Sequence, residues 1–138
     1  MVDHRLTLAA DIAEIPRLLD WVETRCDEAA VPSDTACKMA LVLEEAVANV
    51  INHGFSETPP PHRIAVELVI DPDRVSALVI DNGQPFDPSA APEADTSLPL
   101  DQRDPGGLGI RLIRRMMDRV EYQRVAGENR LQLEKARA

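Results

Sequence analysis

Leu43-Glu44-Glu45-Ala46-Val47-Ala48-Asn49-Val50-Ile51-Asn52-His53-Gly54-Phe55 carries an interrupted polar face on an otherwise apolar helix, and the rest of the chain arranges itself around it. At 100° per residue, Lys38, Glu45, Asn49 and Asn52 form one polar stripe, while Met39, Leu43, Ala46, Val47 and Val50 form the apolar side. Glu45 and Asn49 stand one helical turn apart, roughly 6 Å along the axis. Pro32-Ser33-Asp34 supplies a stop, an N-cap hydroxyl and a first-turn acid, and Gly54 supplies an end, so a helix is predicted over 33–53.

Upstream, residues 5–8 form a short strand candidate, and a second helical pattern over 15–29 places Ile15, Leu18, Leu19, Val22 and Cys26 on one side. Downstream, Pro59-Pro60-Pro61 cannot continue a helix. Alternation over 63–70 and an apolar run over 75–80, joined at 71–74, predict an antiparallel pair. Residues 88–105 collapse into Pro, Ala, Asp and Ser, a length that favours a lid or binding loop over filler. A third helix is expected over 108–118 with Ile110, Ile113, Met116 and Met117 inward, then a hairpin of 120–125 and 130–134 around Gly127-Glu128-Asn129. This order implies an α/β fold, a two-layer α/β sandwich whose mixed, mostly antiparallel sheet carries helices on one face.

Length and composition fit that expectation. The 138 residues suit one domain over 1–138 that buries a core without disulfide or structural metal. With 44% hydrophobic and 3% aromatic residues, the core must be built from Ala, Val, Ile and Leu. A net charge of −9 argues against a nucleic-acid partner, whose phosphates are neutralised by Lys and Arg. Cys26 and Cys37 lack metal or redox spacing and are expected as small buried hydrophobes. No apolar run approaches the roughly 20 residues of a membrane span, and the N-terminus is no signal peptide, so a cytoplasmic protein is expected.

Three segments carry chemistry. The Glu45/Asn49 stripe combines a carboxylate able to polarise a hydroxyl with an amide oxygen suited to Mg²⁺ beside phosphates, although a solvated helix face has the same pattern. In Asp81-Asn82-Gly83, the carboxylate emerges at the end of an apolar strand where it could accept from an amino group such as adenine's. Asp-Asn-Gly is equally a turn former. Phe86 could pack on a base or in the core. Gly106-Gly107-Leu108-Gly109 ahead of a helix presents free N–H groups to phosphate, or serves only as a flexible entry, and Arg111 is near enough to assist. Five of the six glycines lie in or beside these segments, as expected where backbone bends or approaches a ligand.

In combination, these segments resemble the GHKL (histidine-kinase-like) ATPase superfamily, specifically its short anti-sigma-factor serine/threonine kinases. Residues 43–55 look like that family's N-box, 79–88 like its G1 box and 106–113 like its G2 box. The resemblance implies that Asn49 would hold Mg²⁺, Glu45 would act as general base, and Asp81 with Gly83 would recognise the adenine of ATP. Gly107 and Gly109, with Leu108 between them, would meet the phosphates under the lid. It further implies a sigma factor and a STAS-type anti-anti-sigma protein as partners, the latter phosphorylated on serine, and a homodimer by analogy. Gln84-Pro85 departs from the second glycine often found there in related ATPases. The alternative is a nucleotide-gated binding module that sequesters a partner or activates a phosphatase without transferring phosphate. A non-nucleotide scaffold is the third reading.

Overall fold

A computed structural model describes residues 2–85 and 105–137. Its elements are β1 (Val2–Leu8), α1 (Ile15–Glu28), α2 (Ser33–His53), β2 (Ile64–Ile70), β3 (Arg74–Asp81), α3 (Pro105–Met116), β4 (Arg119–Val125) and β5 (Glu128–Ala136). The strands form one sheet in the order β1-β2-β3-β5-β4. Every ladder among the described residues is antiparallel, so the parallel component allowed by a mixed sheet is absent from them. The α/β sandwich expected from the sequence is the fold observed.

Strand alternation creates the core. Leu6 and Leu8, then Ile64, Val66 and Leu68, Val75, Ala77 and Val79, and Leu131 and Leu133 all point into one cluster with the apolar sides of the helices. From α1 come Ile15, Leu18, Val22 and Cys26, and from α2 Met39, Val42, Leu43, Ala46 and Val47. Leu18, Met39, Leu43, Leu68 and Leu133 are completely enclosed. Each such side chain contributes about 1.5–3 kcal/mol relative to exposure.

The helix ends refine the sequence expectations. At the C-terminus of α1, Ala30 adopts φ 56°. Ala30 N–H donates to the Asp27 carbonyl at 3.0 Å and Val31 N–H to the Cys26 carbonyl at 3.0 Å. This is a Schellman closure built on alanine instead of glycine. At the start of α2, Ser33 is already helical and Pro32 is the cap, with no side-chain capping bond. Ser33 is therefore not the expected N-cap, because the fixed proline φ turns the chain one residue earlier. Cys37 also departs from expectation. It is exposed, lying well round α2 from the core-facing Met39, while Cys26 is buried as expected.

The carboxy-terminal end locks this scaffold. The Arg137 guanidinium donates to the Ala29 carbonyl at 2.8 Å and the Asp71 carbonyl at 3.0 Å, and its own carbonyl accepts from the buried Thr35 hydroxyl at 3.0 Å. The α1–α2 corner is thereby tied to the β2–β3 turn. No helix among the described residues is long and apolar enough to cross a membrane.

Two boundaries near the candidate site moved. The β4–β5 hairpin turns on Ala126 and Gly127, both at positive φ (50° and 79°), and not around 127–129. A two-residue turn with both φ positive matches the twist of an antiparallel pair, so it closes the hairpin earlier and releases Asn129 into β5. Helix α3 begins at Pro105, so Gly106, Gly107 and Gly109 lie inside its first turns and not ahead of it. Proline at the first helical position is pre-set for such a start.

Candidate functional site

Helix α2 lies across the sheet so that its second half faces the end of β3. Ala46, Asn49 and Val50 on α2 join Gly54, Val79 and Asp81, Ile113 on α3, and Tyr122, Asn129 and Leu131 on the last hairpin around one cleft of about 480 Å³, including space open to solvent. Two of the expected site residues, Asn49 and Asp81, therefore line the same hollow. Its walls are mainly apolar and its few polar groups converge, the usual make-up of a small-molecule site.

Asp81 is the last residue of β3 and only 5% exposed. Its Oδ1 accepts the Gly83 N–H at 2.9 Å and the Asn129 amide at 3.0 Å. Burial pushes its carboxyl above the ordinary carboxylate range; the Asn129 and Gly83 hydrogen bonds and the Arg124 charge oppose that rise, and Glu128 adds to it. A costly buried carboxylate at a strand end is what a recognition group looks like, since burial alone would favour an apolar residue there.

Asn49 supplies the second polar point. Its Nδ2 is buried and has no hydrogen-bond partner among the described residues. An orphaned amide donor costs about 1–3 kcal/mol unless something arriving in the cleft accepts from it. Turned about its Cγ bond, the same amide would present Oδ1, a hard ligand for Mg²⁺. The residue thus fits either a phosphate oxygen or a cation. Among the described residues, no group of three or more His, Cys, Asp or Glu side chains could hold a metal, so a cation here would draw its other ligands from phosphates and water.

Gly83 brings two backbones together. A Cβ there would lie 2.2 Å from the Gly54 carbonyl oxygen. No side chain fits, and the closeness lets Gln84 N–H donate to that same oxygen at 2.9 Å. The Gln84 side chain completes the staple. Its Oε1 accepts from the Ser56 hydroxyl at 3.1 Å and the Glu57 N–H at 3.0 Å, and its Nε2 donates to the His53 carbonyl at 3.1 Å. The departure at Gln84-Pro85 is thus a binding post for the C-terminal end of α2.

The remaining expected residues are placed less centrally. Glu45 is half-buried on α2, next to the cleft-lining Ala46 but not itself among the described lining residues. On the expected polar stripe, Lys38 pairs with Asp34 at 3.0 Å and Asn52 is exposed. Arg111 is half-buried on α3, outside the described lining. Gly107, Leu108 and Gly109 occupy the first turns of α3; by position the Gly107 N–H precedes the first intrahelical bond, while those of Leu108 and Gly109 are in register for i→i−4 bonds. Phe86 and all but the last residue of the expected 88–105 lid lie outside the described residues.

Sequence reasoning missed Asn129. Only 6% exposed, it donates to Asp81 and to the Gln84 carbonyl at 2.7 Å, and accepts from the Tyr122 hydroxyl and from Arg124 at 3.1 Å. Assigning it to a turn hid the residue. A two-residue turn at Ala126-Gly127 would have put it in the strand.

The sheet order, the helical layer and a cleft opened between α2 and the end of β3 define the histidine-kinase-like ATPase fold. The chain matches the histidine kinase-like ATPase domain over residues 8–135 and belongs to that family. It is 37% identical over 97 residues to the serine/threonine-protein kinase BtrW of Bordetella bronchiseptica, covering 69% of this chain and 66% of that protein. It is 33% identical over 91 residues to the serine-protein kinase RsbW of Halalkalibacterium halodurans, covering 63% and 54%. The chain thus spans between about half and two thirds of the length of these two relatives. To RsbW of Staphylococcus epidermidis it is 28% identical over 132 residues, 91% of this chain and 80% of that protein. Among solved structures, it resembles the RsbU and RsbW domains of Rv1364c from Mycobacterium tuberculosis, with a TM-score of 0.71 at 17% identity over 100% of this chain and 34% of that one. At that identity the likeness speaks for the fold alone.

Proposed function

We propose that this chain binds Mg-ATP in the α2–β3 cleft, transfers the γ-phosphoryl group to a serine of a STAS-type anti-anti-sigma protein, and binds a sigma factor. The observation that carries the nucleotide reading is the convergence of the orphaned Asn49 amide and the buried Asp81 carboxylate on one largely apolar cleft. Similarity to a serine/threonine-protein kinase and a serine-protein kinase supports the choice of serine, and the resemblance of residues 43–55, 79–88 and 106–113 to the short anti-sigma-factor kinases supports the regulatory setting.

In this reading, Asp81 accepts from the adenine amino group, with Gly83 keeping the backbone close enough for the base to approach. Asn49 would hold Mg²⁺, which supplies charge neutralisation on the phosphates when bound. The N-terminal turn of α3, which includes Gly107, offers N–H groups to the phosphate chain, and Leu108, Gly109 and Arg111 follow on the same helix. Phe86 would cover the base. Glu45 takes the proton from the acceptor serine as its oxygen bonds to the γ-phosphorus; the bond from that phosphorus to the β–γ bridging oxygen breaks, and ADP leaves.

The position of Glu45 outside the described lining favours keeping a second reading, a nucleotide-gated binding module without phosphotransfer. Incubating the protein with labelled Mg-ATP and its STAS partner separates the two. Phosphoserine on the partner, lost in Glu45→Ala with ATP binding retained, supports the kinase. ATP-dependent partner binding without phosphoserine supports the module, and no ATP binding by folded protein removes both.

A further inference from the structure

Asn129 has one orientation available to it. Its oxygen faces two donors, the Tyr122 hydroxyl and the Arg124 guanidinium, and its nitrogen faces two acceptors, Asp81 Oδ1 and the Gln84 carbonyl. Turning the amide over would set its oxygen against a carboxylate and a carbonyl, and its nitrogen against two donors. The amide therefore always donates to Asp81. The strand register delivers it there, because Asp81 and Asn129 are direct partners in the β3–β5 ladder.

With the Gly83 N–H and the Asn129 amide both on Oδ1, the other carboxylate oxygen receives no hydrogen bond from the described residues. That oxygen is an acceptor as long as the group is ionised. An adenine amino group can donate to it, whereas a 6-oxo group, itself an acceptor, is repelled. We propose that Asn129 is a positioning residue for this recognition: by saturating one oxygen of Asp81, it keeps the other as a fixed acceptor and so sets the preference for a 6-amino over a 6-oxo purine. The proposal rests on the nucleotide reading of the cleft.

Titration follows the same logic. Burial already drives the Asp81 carboxyl upward, and the Asn129 bond is the largest cause holding it down, ahead of Gly83 and the Arg124 charge, with Glu128 acting the other way. Arg124 reaches in from β4 and Glu128 from β5, while Ala46, Asn49, Val50 and Ile113, which face the cleft from α2 and α3, are uncharged. Without Asn129 the protonated acid gains ground, and its O–H can donate to a 6-oxo group.

The test compares Mg-ATP with Mg-ITP, which share the triphosphate, so phosphate titration and magnesium contacts cancel in their ratio. Affinities of wild type, Asn129→Ala and Tyr122→Phe are measured calorimetrically from pH 5 to 8. Wild type is expected to favour ATP by about tenfold or more at pH 7. Asn129→Ala should lower the preference to about threefold or less, with ATP affinity falling and ITP affinity unchanged or raised, and should move the acidic decline of the preference to higher pH. Tyr122→Phe keeps the ring and removes the hydroxyl that orients the amide, so an intermediate preference is expected. A wild-type ratio and pH profile in Asn129→Ala, or in Tyr122→Phe if the first variant does not fold, overturns the proposal. Equal binding of ATP and ITP by wild type overturns it alone; binding of neither overturns the nucleotide reading with it.

Discussion

Asp81 and Asn129 face each other across the β3–β5 ladder, joined by a 3.0 Å hydrogen bond from amide to carboxylate. The pair keeps a charge inside a wall of apolar strand residues, and that charge costs stability. Its folded pKa is raised, so the stabilising contribution is complete below the unfolded value of 3.8 and is lost as pH rises through the folded value. Asp81→Asn removes the titration and retains an oxygen for Gly83 and Asn129. The variant is expected to be at least as stable as wild type at pH 7, with its advantage shrinking as pH falls toward 3.8. ATP affinity should drop about 10- to 150-fold, the worth of one charged hydrogen bond. Urea denaturation across pH, alongside ATP titration, checks both; lower stability at pH 7 would mark Asp81 as a structural residue.

Asn49 gives the same signature by another route. Its buried amide donor has no partner among the described residues, so truncation removes an uncompensated desolvation and installs a stronger helix former. Asn49→Ala should leave the ligand-free protein as stable or up to about 1 kcal/mol more stable, while Mg-ATP affinity falls tenfold or more. Chemical denaturation with and without Mg-ATP reads both effects. A loss of more than about 1 kcal/mol without ligand would mean that the amide serves the fold.

Much of this arrangement was legible because local signals agreed with global packing. The 3.6-residue period of α1 and α2 and the alternation of β2 located the core side chains Leu18, Val22, Leu43, Val47, Val66 and Leu68 before any contact was known. Asn49 and Asp81 could be singled out by residue chemistry at defined ends of those elements. Asn129 could not, since its importance lies in a contact between residues 48 positions apart, and its strand placement depends on a turn with alanine at positive φ. Gln84 was visible as an oddity, but its partners His53, Ser56 and Glu57 belong to the far end of another element. The start of α3 was set late by reading three glycines as non-helical, when Pro105 was the stronger signal.

Gly83 is constrained by space. A methyl group at this position meets the Gly54 carbonyl oxygen at 2.2 Å, and that oxygen is fixed backbone that also accepts from Gln84 N–H. Relief requires the β3 exit to move away from the end of α2, breaking that bond and opening the cleft. Gly83→Ala is expected to lose about 1–3 kcal/mol of stability, as overpacking does, together with most of its nucleotide affinity. Thermal melting and ATP titration test this; unchanged values for both would show that the two segments separate freely.

Ala30 presents the opposite case, an alanine where glycine belongs. It closes the Schellman motif of α1 at φ 56°, and Val31 beyond it is buried against the core with Cys26. The left-handed conformation costs an L-residue about 1–2 kcal/mol, while glycine returns part of this through the greater freedom of the unfolded chain, about 0.4–1 kcal/mol. Ala30→Gly should therefore stabilise by about 0.5–1 kcal/mol. The urea midpoint should rise with an unchanged m-value, and ATP affinity should stay at the wild-type level because the α1 end is remote from the cleft-lining residues. A lower midpoint would mean that the backbone there relaxes out of the left-handed region in solution.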